Sequence, residues 1–175
     1  MSVLPIARMG AEVLRQRAAE VADVPDPALQ VLVTDMIETM VEAGGVGLAA
    51  PQVYQSRRIV IFFVPAARNG GMEIPLTIMI NPVVTPVGEA TDEAYEACLS
   101  VPGLTGMVPR FTEITLRALN RKGKVVEIPL KDFAARVAQH ETDHLEGVLF
   151  FDRMTSLQSL TYLDEYSRYH ASERE

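Results

Sequence analysis

The 175-residue chain has one cysteine and three histidines, and its 16 Lys and Arg are outnumbered by 23 Asp and Glu. Each shortage excludes something. A lone cysteine cannot close an intramolecular disulfide, so the disulfide-stapled secreted class is out, and Cys98 is left as inert core, reactive thiol or metal ligand. A net charge of -7 and an isoelectric point near 5.0 argue against a nucleic-acid partner, whose binder normally presents a basic face. Long apolar runs are missing too: Ile59 to Val64 stops at Pro65, far short of the roughly 20 residues a spanning helix needs, so no membrane partner is expected. The opening MSVLPIARMG lacks both a basic start and an apolar stretch of signal-peptide type. The expected setting is reducing and cytoplasmic.

What is present suits a folded core. Hydrophobic residues make up 48% of the chain, and this length fits a single domain, expected over 1–175. Asp26 is an N-cap type followed by Pro27 at the first helical position, and Leu29, Leu32, Val33, Met36, Ile37, Met40 and Val41 recur at helical spacing until Gly44-Gly45. This predicts an amphipathic helix in the N-terminal half. Short β-rich runs follow at Ile59–Val64, Thr77–Ile80 and Glu113–Leu119, and Asn120-Arg121-Lys122-Gly123 reads as a hairpin turn. From Asp132 the helical period returns through Phe133, Val137, Ala138 and Leu145, stopping at Gly147. A last amphipathic helix is expected within Ser156–His170, through Leu157, Leu160, Tyr162, Leu163 and Tyr166. The expected class is α+β.

His140-Glu141-Thr142-Asp143-His144 is an H-E-x-x-H motif on the second of these helices. Residues four apart lie about 40° apart around the axis and about 6 Å along it, so both imidazoles can reach one ion. Glu141, beside them, is placed to take a proton from water without being a ligand. Phe133, Val137, His140, Glu141 and His144 continue one stripe, which puts ionisable groups on the buried face and favours a metal partner. Catalytic sites of this kind usually take three protein ligands. The metzincin pattern fails, because Phe150 stands where its third histidine would be. Glu165, in a thermolysin-like arrangement, and Cys98 both remain open as third ligand.

Three segments bear on that choice: Gly45-Val46-Gly47-Leu48-Ala49-Ala50-Pro51-Gln52, Glu96-Ala97-Cys98-Leu99-Ser100, and Gln139-His140-Glu141-Thr142-Asp143-His144. The first superficially fits a dinucleotide-binding fingerprint, but it follows a helix rather than a strand. Together, in this order, and with Val108-Pro109-Arg110 and Gly147-Val148-Leu149-Phe150, they resemble the peptide deformylase family over roughly residues 25 to 155. One departure is Ala97, which replaces the family's usual glycine beside the cysteine.

The resemblance implies antiparallel sheets packed around a central helix bearing the H-E-x-x-H, and a metal held by Cys98, His140 and His144. It implies Fe²⁺ as the usual ion, with Zn²⁺ or another divalent ion able to substitute. Glu141 would be the acid–base group, with the Gln52 amide and the Leu99 backbone N–H as oxyanion donors. Backbone groups of Val46 and Gly47 would pair with a peptide, and Val137 is the candidate for a methionine pocket. The implied activity is hydrolysis of the N-terminal formyl group of formyl-methionyl nascent peptides, with transient proximity to the ribosome. Arg110 is expected to pair with Glu96 or Asp143. The rival expectations are a zinc peptidase using Glu165 and a relative that binds metal or peptide without turnover.

Overall fold

The Asp26 side chain accepts a hydrogen bond from the Ala28 N–H at 3.0 Å and opens helix α1, Pro27–Glu42, with Pro27 in its first turn. At the other end Gly44, at φ 65, donates to the Val41 carbonyl and Gly45 donates to the Met40 carbonyl, which closes the helix in a Schellman arrangement. Leu29, Val33, Met36 and Met40 form the fully buried stripe. Val41 falls outside it, at 65% exposed. The structure, a computed structural model, describes residues 2–170.

Eight strands follow: β1 Gly47–Ala49, β2 Ile59–Val64, β3 Ile74–Pro86, β4 Thr91–Cys98, β5 Val101–Phe111, β6 Glu113–Leu119, β7 Val125–Lys131 and β8 Thr161–Tyr162. They form a five-stranded sheet in the order β1-β2-β3-β6-β7 and a three-stranded sheet in the order β4-β5-β8, antiparallel throughout. The β6–β7 turn has Gly123 at φ 72, as the Asn120 to Gly123 sequence predicts.

The run Ile-Val-Ile-Phe-Phe-Val of β2 lacks polar alternation because both of its faces are covered. Ile59 and Ile61 join the α1 core, while Val60, Phe62 and Val64 join the core built on helix α2, Asp132–Leu145. The other side of α2 meets β5, so this helix lies between the two sheets. The single apolar stripe read from its sequence is therefore too narrow. Every residue from Ala134 to Glu141 is buried, Arg136 and Gln139 included, and so are Asp143, His144 and Leu145.

The C-terminal stretch differs from expectation. Helix α3 covers only Leu163–Tyr169, and Leu157–Ser159 is a single 3-10 turn. Between them Thr161 and Tyr162 pair with Thr105 and Leu104, and these ladder bonds draw the backbone out of helical form. Leu157 and Tyr162 consequently point outward, at 68% and 64% exposed. Ahead of α1, Glu12–Arg15 forms a short 3-10 turn. Among the described residues no helix is long and apolar enough to cross a membrane.

Candidate metal centre

Two sheet edges and one helix converge on a single cavity of about 350 Å3. β1 is an outer strand of the larger sheet and β4 an outer strand of the smaller one, and α2 forms the floor between them. α2 carries His140 and His144, which lie one turn apart with ring centroids separated by 5.2 Å. Cys98 ends β4, where the ladder to β5 shifts register after Ala97 and the chain reverses through Leu99 and Ser100. Its sulfur lies 3.3 Å from His144 Nε2. One donor atom from each of Cys98, His140 and His144 falls within 4.8 Å of the others, and all three residues are buried. A thiol and two imidazoles at this separation fit a divalent zinc-type or iron-type ion.

Glu165, the rival third ligand, sits on α3, half-buried and paired with Arg168 at 2.8 Å, and it does not join the cluster. Ala97 is exposed on β4 and lines the cavity, so the methyl that replaces the glycine hydrogen borders the site rather than the core.

Behind the histidines lies a network of buried charge. The Arg110 guanidinium grips Glu96 with two hydrogen bonds, of 2.9 and 3.0 Å, and extends its third nitrogen to Asp143. It thus joins both acids offered as alternatives by sequence. Arg153 closes on Asp143 at 2.7 Å from outside. Arg136 adds a hydrogen bond of 2.9 Å to Glu96 and also binds the Val108 carbonyl and Asp92. Glu96 Oε2, which also accepts from Arg110, faces His140 Nδ1 at 2.9 Å, which leaves Nε2 as that ring's available ligand atom. Burial opposes ionisation of Glu96, yet the hydrogen bonds from His140 and Arg110 outweigh it and hold the carboxyl well below the usual range. Sequence reasoning missed Arg136. The available signal was its place one turn before His140, a charge on a helix face that burial was expected to cover.

Glu141 lies on the cavity side of α2. Among the described residues its buried Oε2 has no hydrogen-bond partner, and neither has the buried His144 Nδ1. Burial pushes the Glu141 carboxyl up to about 7. Gly47 makes this placement feasible, since a Cβ there would stand 2.2 Å from Glu141 Oε1. The first glycine motif is thus needed for close approach, not for turn geometry.

The Gln52 side chain is fixed by its own oxygen, which accepts from the Ala49 N–H at 2.8 Å. That turns its amide nitrogen toward Cys98 Sγ, at 3.6 Å, and Ser100 Oγ, at 3.2 Å. Leu99 and Val137 line the cavity beside these groups. Immediately before β1 the Val46 carbonyl already accepts from the Phe63 N–H. Because bonded and non-bonded positions alternate in an antiparallel ladder, the next residue, Gly47, turns its N–H and C=O away from β2 and toward the open edge.

Residues 3–160 match the family model described as polypeptide deformylase. Peptide deformylase 2 of Nostoc sp. is 43% identical over 171 residues, covering 94% of this chain and 93% of that protein. A peptide deformylase of Halothermothrix orenii is 44% identical over 157 residues, covering 90% and 97%. Among solved structures, the class I type b peptide deformylase of Acinetobacter baumannii with Met-Ala-Ser bound superposes with a TM-score of 0.81 at 38% identity, covering 87% of this chain and 98% of that one.

Proposed function

The chain belongs to the peptide deformylase family, and from that premise we propose that Cys98, His140 and His144 hold the family's metal ion while Glu141 moves the protons. The activity is hydrolytic removal of the N-terminal formyl group from formyl-methionyl nascent peptides, releasing formate. Fe²⁺ is the proposed ion, with Zn²⁺ or another divalent ion able to substitute, and one deformylase domain over 1–175 in the cytoplasm is the proposed setting. The observation that carries the ligand set is the meeting of one thiol and two imidazoles within 4.8 Å at the foot of the cavity.

When bound, the ion supplies Lewis acidity and lowers the pKa of water at its open position. Glu141 then accepts the water proton and returns one to the leaving amine. A carboxyl raised by burial toward neutrality suits both halves of that transfer. Negative charge develops on the formyl oxygen during attack, and the Gln52 amide, already aimed into the site, donates to it together with the Leu99 N–H. The outward N–H and C=O of Gly47 bind the peptide backbone as an added strand, with the Val46 N–H beside them. This mode reads main chain and accepts many sequences. Val137 borders the pocket for the first side chain. The A. baumannii relative with Met-Ala-Ser bound supports a peptide in this cavity. Delivery of nascent chains places the protein transiently near the ribosome.

Cys98→Ala tests the ligand set. The variant is expected to lose the one ion per chain of the wild type, measured by elemental analysis after anaerobic purification. Retention of a full ion would overturn it.

A further inference from the structure

The cavity carries a cation that the chemistry above does not use. Arg68 lies in the 3-10 turn Ala66–Arg68 after β2, lines the cavity, and stacks over the Phe133 ring with its guanidinium carbon 4.1 Å from the centroid. The turn is held in place by Asn69, which is buried and accepts from the Ala134 N–H at the start of α2. Among the described residues no carboxylate lies within ion-pair distance of Arg68, whereas Arg136, which lines the same cavity, is paired with acids. Partial burial lowers the Arg68 pKa, as removal of hydration from a cation must.

Its distance from the metal ligands decides what it meets. Phe133 precedes His140 by seven residues on α2, about 10.5 Å at the helical rise. A peptide added antiparallel to β1, with its formyl end at the ligand cluster, runs back past Gly47 and Val46 toward the end of β2 from which the Arg68 turn departs. At about 3.4 Å per residue, the third residue covers that distance. Side chains one and three of an extended peptide share a face, so the third follows the first onto the side of Val137 and Phe133.

Resting on the deformylase reading, we infer that Arg68, stacked on Phe133 at the cavity rim, is a specificity residue that recognises a carboxylate at the third position of the formyl peptide. The carboxylate comes from an acidic side chain or from the terminus of a short peptide.

The test compares kcat/KM by formate release for C-terminally amidated formyl-Met-Ala-Glu, formyl-Met-Ala-Gln and formyl-Met-Ala-Lys, and for formyl-Met-Ala-Ala as free acid and as amide. The wild type is expected to favour Glu over Gln by about threefold, inside the range of exposed ion pairs, with the preference fading in high salt. Arg68→Ala levels the Glu and Gln rates, and Arg68→Glu makes Lys the better substrate. A preference in the Glu series assigns the side chain as ligand, and one in the free-acid pair assigns the terminus. Identical rankings in wild type and both variants, with formate released throughout, overturn the inference while leaving the activity standing. No formate from any peptide overturns the deformylase reading, and this inference with it.

Discussion

Glu96 binds two arginines and a histidine with one carboxylate. Its folded pKa is depressed, so its contribution to stability is present above the ordinary carboxylate value, about 4.3, and is lost as pH falls below that value toward the folded one. Glu96→Gln leaves buried Arg110 and Arg136 short of charge. We expect metal-free variant protein to be about 3 kcal/mol less stable at pH 7 and to show a flatter decline below pH 4, measured by urea titration across pH. Glu141 has the opposite sign. Its raised pKa means the folded state resists ionisation, so in metal-free protein the carboxylate costs stability as pH rises from about 4.3 through 7. Glu141→Gln is expected to stabilise the metal-free form at pH 8, to retain one ion per chain, and to lower kcat by about 10²- to 10⁴-fold. Thermal melts, elemental analysis and formate release check these in turn.

At the scale of elements, the site depends on α2 sitting against β1 closely enough for Glu141 to reach past Gly47. Gly47→Ala puts a methyl within 2.2 Å of the Glu141 carboxylate oxygen. The expected result is an unchanged metal content with kcat reduced about 10²-fold or more, since a displacement near 1 Å of a proton-transfer group suffices for that. Formate release against metal content separates this outcome from general unfolding. The bounds of α1, α2, β2 and β6 were legible in the sequence because their causes are local: an Asp-Pro start, a Gly-Gly stop, an unbroken apolar run, a helical period. β4 and β5 were not. β5 contains Pro102, Gly103, Gly106 and Pro109, all residues that weaken a strand reading, and it holds its form through eight positions paired with β4, a neighbour the local sequence does not reveal. The truncation of the C-terminal helix has the same origin, since two residues of β8 pair with β5 across the fold.

At the scale of the molecule, α1, the larger sheet, α2 and the smaller sheet stack so that two open sheet edges face one cavity. Phe62 lies wholly inside the layer between β2 and α2. Phe62→Ala is expected to cost about 3 to 5 kcal/mol and to lower Tm by about 6 to 20 °C in calorimetry. The histidine pair and Glu141 could be read from sequence because helical spacing alone sets their geometry. Cys98 as their neighbour followed only from family resemblance, because a contact 46 residues away depends on how β4 docks on α2. Arg136 was invisible for that reason too: its partners Asp92, Glu96 and Val108 come from strands of the other sheet.

On the reading proposed above, this cavity, with a divalent ion on Cys98, His140 and His144, removes formyl groups. The most direct test is formate release from formyl-Met-Ala-Ser by protein purified anaerobically and loaded with Fe²⁺. Stoichiometric loading with multiple-turnover release of formate is predicted. A chain that holds one ion and releases no formate would overturn that reading.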